Sequence, residues 1–126
     1  MPIEIWAGGN HYPRGTLKRG MLFVVREALV AGIAPAQLKL HVGTTNERNR
    51  WLDPAGHVSA QVALAAAVAS KRRVFGAANE VLSFGSRFFV LTDQWSWDTL
   101  SGSSKDDLER IVTNLPQLKL RWQWWP

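Results

Sequence analysis

VLSFGSRFFV, residues 81–90, decides the fold class. Two runs of β-branched and aromatic residues flank Gly85-Ser86, and a two-residue loop with glycine first suits a type II′ hairpin turn. A hairpin joins two strands antiparallel, so at least part of the sheet cannot be parallel. The second strand of the pair is expected to continue toward Trp97.

Working outward, Ser59 to Arg73 is alanine-rich and reads as a helix. Its cations Lys71, Arg72 and Arg73 fall at the carboxyl end, where the helix dipole favours them. Downstream, Ser104-Lys105-Asp106-Asp107 resembles a capping-box start. Leu108, Ile111, Val112 and Leu115 follow at i, i+3, i+4 and i+7, and Pro116 ends that helix. Leu118 to Trp125 alternates as a last strand. Leu118, Leu120, Trp122 and Trp124 share one face, and Lys119, Arg121, Gln123 and Trp125 the other.

Toward the amino terminus, Pro2 to Trp6 reads as a short strand with Ile3 and Ile5 on one face. The stretch AGGNHYPRG, residues 7–15, is punctuated by glycine and proline and reads as a strand-to-helix connection. Thr16 can cap a helix carrying Leu17, Met21, Val24, Ala28 and Leu29, with Gly32 and Pro35 as its stop. Leu38 to Val42 alternates strictly and predicts a strand. GTTNERNRWLDPAG, residues 43–56, is a long polar loop. The order is β-α-β-α-β-β-α-β: one compact α+β domain over residues 1–126, with about five strands in a mixed or antiparallel sheet and three helices.

The 126 residues suit a single domain, and 46% hydrophobic against 20% charged residues is a globular composition. Absence of cysteine removes disulfides, thiol nucleophiles and Cys-ligated zinc. The amino terminus has no basic stretch leading into a long apolar run, and the longest apolar run, residues 21–33, is broken by Arg26 and Glu27. A soluble, cytoplasmic protein without membrane contact is the expectation.

Net charge is +5, with ten arginines against five lysines. Residues 1–88 hold eleven cations against five carboxylates, whereas residues 89–126 hold four against five. A positive field draws polyanions, and arginine suits planar phosphate recognition. The same charge also serves solubility alone.

Seven tryptophans raise the question of a displayed aromatic surface. Trp6, Trp95, Trp97, Trp122 and Trp124 are assigned to the core, with Asp93, Gln94, Ser96 and Asp98 as candidate acceptors for buried indole N–H groups. Trp51, beside Arg48 and Arg50, and Trp125, the one large ring on a polar strand face, are candidates for stacking on bases.

The basic clusters Arg14-Lys18-Arg19, Arg48-Arg50 and Lys71-Arg72-Arg73 lie at loops or helix ends, where side chains can reach phosphate. Dipole complementarity alone would also place cations there. The leading expectation is therefore a non-enzymatic module contacting nucleic-acid phosphates through Arg48, Arg50, Lys71, Arg72, Arg73, Arg14 and Lys18, with Trp51 or Trp125 stacking. A second is a homodimer built on the last strand through Trp125, Arg121 and Gln123. A third is an enzyme of unknown type using His11, Arg14 and an aspartate.

No residue is assigned to catalysis from motif. There is no Walker A loop, no HExxH and no Gly-x-Ser-x-Gly elbow, and His11, His41 and His57 show no ligand spacing, so neither metal nor cofactor is expected. REALVAGIAPAQLKL, residues 26–40, followed by a Ser/Ala-rich helix and a Trp-x-Trp, resembles short pieces of the restriction-enzyme adenine-methylase-associated domain. The hairpin at residues 81–90 departs from that pattern, and no residue role follows from the likeness.

Overall fold

A computed structural model describes residues 2–42, 53–93, 95 and 104–125. Among them are five strands and four helices: β1 (Ile3–Ala7), β2 (Asn10–Gly15), α1 (Leu17–Val30), α2 (Pro35–Lys39), α3 (Ala60–Ser70), β3 (Leu82–Phe84), β4 (Arg87–Phe89), α4 (Ser104–Asn114) and β5 (Arg121–Trp124). The chain is α+β, and every pairing among the described residues is antiparallel. One sheet has the order β2-β1-β5, and β3 and β4 form a separate hairpin.

The β3-β4 hairpin turns as its sequence demands, with Gly85 at φ 60. Thr16 caps α1 by accepting from the Arg19 N–H at 3.4 Å, and Gly32 ends it at φ 90. Ser59 caps α3 in the same way. In α1, Met21, Val24, Val25 and Ala28 are fully buried in the core that Ile3 and Ile5 of β1 also enter. The close approach occurs at Gly20, where a Cβ would sit 2.8 Å from Ile5 Cδ1. Leu108 and Ile111 of α4 enter the same core.

Several expectations fail, each for a definable reason. Residues 38–42 form no strand. Pro35, pre-set for a helical first turn, starts α2 instead. Leu38 and Val42 are then buried four residues apart, while Leu40 is 67% exposed. The sequence Leu-Lys-Leu-His-Val satisfies both the strand and the helix period, and its middle leucine is the one left outside.

The connection at residues 7–15 contains a strand. Gly8 and Gly9, at φ 59 and 83, make a tight turn with both central residues left-handed, and β2 runs back along β1. Pro13 is tolerated because β2 is an outer strand and because the pairing shifts there. Ile5 faces Tyr12 but Ile3 faces Gly15, so Pro13 and Arg14 together oppose the single residue Glu4.

The last strand is shorter than expected. A 3-10 turn at Pro116–Leu118 and a left-handed Lys119 precede β5. Its alternation nonetheless holds: Leu118 and Leu120 are buried, Trp122 and Trp124 pack against the core, and Lys119, Arg121 and Gln123 are exposed.

Beyond the hairpin, β4 ends at Phe89, and Leu91 and Thr92 continue only as bridging residues beside Val74. Trp95 is buried, and its indole N–H donates to the Thr92 carbonyl at 2.7 Å; Gln94, Ser96, Trp97 and Asp98 lie outside the described residues. Helix α3 stops at Ser70, with Lys71 left-handed. Lys71, Arg72 and Arg73 therefore follow the helix and do not form its last turn.

Candidate functional site

The site begins with the register of β1. Ile3, Ile5 and Ala7 are buried, so Glu4 and Trp6 point to the other face of the sheet. Cross-strand partners share a face. Trp6 pairs with His11 on one side and with Arg121 on the other, and Glu4 pairs with Gln123. Trp6 is thus half-buried on the open face, contrary to its assignment to the core.

The His11 ring stacks on Trp6 with centroids 5.1 Å apart and planes 14° apart. The Arg121 guanidinium carbon lies 4.3 Å from the Trp6 centroid. Since β2 and β5 flank β1 from opposite sides, the indole stands between an imidazole and a guanidinium. His11 Nε2 also meets Glu4 Oε2 at 2.6 Å, tying the exposed ring to the sheet.

The register shift supplies the second half of the site. In unbroken pairing Arg14 would oppose Ile3 and face the core. The extra residue puts Gly15 there and turns Arg14 outward. Its guanidinium carbon then lies 3.9 Å from the centroid of Trp125. Trp125 is anchored beside the start of β1 by its backbone N–H, which donates to the Pro2 carbonyl at 2.9 Å.

One face therefore carries two arginine–tryptophan pairs, with Glu4 and Gln123 between them. Of the residues singled out from sequence, the fold gathers His11, Arg14, Arg121, Gln123 and Trp125 here. Trp6, which was assigned to the core, and Glu4 join them. The odd positions of Ile3 and Ile5 already implied an outward Trp6, but the preference of large aromatic rings for burial hid it.

The other candidates lie elsewhere. Lys18 is half-buried on α1. Arg19 does not extend a cluster with Arg14, because it is paired with the nearly buried Glu80 at 2.8 Å. Lys71, Arg72 and Arg73 are exposed beyond α3, and Arg73 lies 3.7 Å from Asp93. Arg48, Arg50 and Trp51 lie outside the described residues.

The carboxylate beside His11 is Glu4 rather than an aspartate, and Arg14 is turned onto Trp125. His41 follows α2 and its carbonyl accepts from Arg110 Nε at 3.2 Å. His57 bridges to Phe88. A shallow depression of about 200 Å³ is lined by Asp106, Glu109, Arg110, Thr113 and Asn114, well away in sequence from His11 and Arg14. Among the described residues no group of three potential metal ligands converges, and no helix is long and apolar enough to cross a membrane.

No family model matches the chain, and neither a curated protein nor a solved structure is significantly similar to it.

Proposed function

We propose that this chain is a small basic binding module that contacts nucleic acid through the open face of the β2-β1-β5 sheet, without a catalytic step. One observation carries the reading. Two guanidinium groups, Arg14 and Arg121, are layered at 3.9 and 4.3 Å on two tryptophan rings of the same sheet face. A guanidinium held on an indole loses less rotamer freedom when it binds a phosphate, and its planar fork suits that anion. The +5 net charge adds long-range attraction for a polyanion. Lys71 and Arg72 are also exposed, beyond α3 and outside this group.

The test is a titration of a labelled oligonucleotide at two salt concentrations. Binding that weakens steeply with salt supports the reading, and Arg14→Gln with Arg121→Gln lowers the salt slope by about two if each cation releases about one counterion. No binding at low salt sinks it.

A second reading, self-association through the last strand, draws on the position of β5 at one end of the strand order. Light scattering decides it, by a mass near twice 14.1 kDa that falls toward the single-chain value with Trp125→Ala.

A further inference from the structure

The geometry points to a single, extended nucleic-acid strand as the ligand of this face, with its bases exposed to the sheet; this inference rests on the nucleic-acid reading above. We infer that bases stack at two stations. One is the exposed end of the His11–Trp6–Arg121 stack, and the other is the Arg14–Trp125 pair.

The spacing of the stations is too wide for two adjacent stacked bases. Trp6 pairs with Arg121 in one row, and Trp125 lies beside Pro2 four residues further along the strands. At roughly 3.4 Å per residue the stations are about 14 Å apart. Stacked bases in a duplex advance about 3.4 Å each, so neighbouring bases of a duplex cannot occupy both. An extended strand can, with unstacked nucleotides between.

The shape of the face agrees. A duplex hides its base faces and offers only edges in its grooves. The major groove, about 12 Å wide, admits a helix or a two-stranded ribbon end-on. Half-buried rings lying on a three-stranded sheet cannot enter it. They can meet bases that are splayed from a single strand, as aromatic and guanidinium planes do in single-strand recognition.

Between the stations the chemistry changes from cationic to hydrogen-bonding. Glu4 and Gln123 are cross-strand partners in the central row. A carboxylate there disfavours phosphate but accepts from base amino groups, and the Gln123 amide both donates and accepts. The cations lie at the two ends of the face and the neutral and acidic groups at its middle. That pattern matches a strand whose backbone crosses the arginines and whose bases turn inward.

The experiment is a fluorescence-anisotropy comparison of labelled oligothymidine with its duplex with oligoadenosine, at equal length and salt. The wild-type chain is compared with Trp125→Ala and His11→Ala, both shown to be folded by circular dichroism. The expected result is tighter binding of the single strand, weakened about tenfold or more by each substitution, with duplex binding unchanged. Equal or tighter duplex binding, insensitive to both substitutions, overturns the single-strand inference and leaves phosphate contact standing. Absence of binding to both ligands at low salt overturns the underlying reading as well.

Discussion

The guanidinium of Arg14 covers the ring of Trp125 at 3.9 Å, although the two residues lie at opposite ends of the chain and on opposite flanks of β1. A one-residue slip between β1 and β2 makes the contact. It turns Arg14 from the core side to the open side, where Trp125 is held against Pro2. An exposed cation–π pair contributes about 0.5–1 kcal/mol. A double-mutant cycle with Arg14→Ala and Trp125→Ala, read by urea unfolding, is expected to return a coupling in that range. A coupling of zero would mean that the pair has no energetic content.

Residues 35–42 provide a test of helix against strand. In a strand Leu38 and Leu40 would share a buried face. Of these two only Leu38, within α2, is buried, and Leu40, just after the helix, is 67% exposed. Leu38→Ala should cost about 2–5 kcal/mol, and Leu40→Ala should fall within about 0.5 kcal/mol of the parent. Similar large losses at both positions would restore the strand.

Glu80 is the buried carboxylate of the α1–β3 side of the molecule. It accepts from Arg19 Nη1 at 2.8 Å and from the Ala77 backbone N–H at 3.0 Å. Glu80→Ala leaves that N–H without its acceptor and should cost about 1–3 kcal/mol by chemical denaturation. Arg19→Ala should cost less, because its side chain is 64% exposed and most of its charge energy is screened.

Two left-handed glycines separate backbone strain from packing. Gly85, at φ 60, has open space where a Cβ would go, whereas at Gly56, φ 80, a Cβ would lie 2.8 Å from the Phe89 ring and 2.9 Å from Arg87 Cβ. Gly85→Ala should cost about 1–2 kcal/mol from the left-handed conformation alone. Gly56→Ala adds overpacking of roughly 1–3 kcal/mol. Equal losses would show that the turn at Gly56 yields to a side chain.

The fold class was legible because local signals agreed with the final packing. Gly85-Ser86 fixed a hairpin, Thr16 and Ser59 capped helices, and the alternation from Leu118 to Trp124 separated core from surface. Legibility ended where two patterns fitted equally, as at residues 38–42, or where an outer strand suspended the usual rule against proline, as at Pro13. Arg14, Arg121, Gln123 and Trp125 could each be singled out from sequence. Their meeting could not, because it depends on the strand order and on a single shifted residue. Trp6 was hidden for a different reason: its position pointed outward while its size argued for burial.

The most direct measurement is a titration of the ¹⁵N-labelled chain with oligothymidine, following the indole N–H resonances. The account predicts that the Trp6 and Trp125 signals shift together as the strand binds, while that of Trp95, buried and bonded to the Thr92 carbonyl, stays in place. Saturable binding that leaves both Trp6 and Trp125 unmoved would contradict the assignment of the ligand to the open face of the sheet.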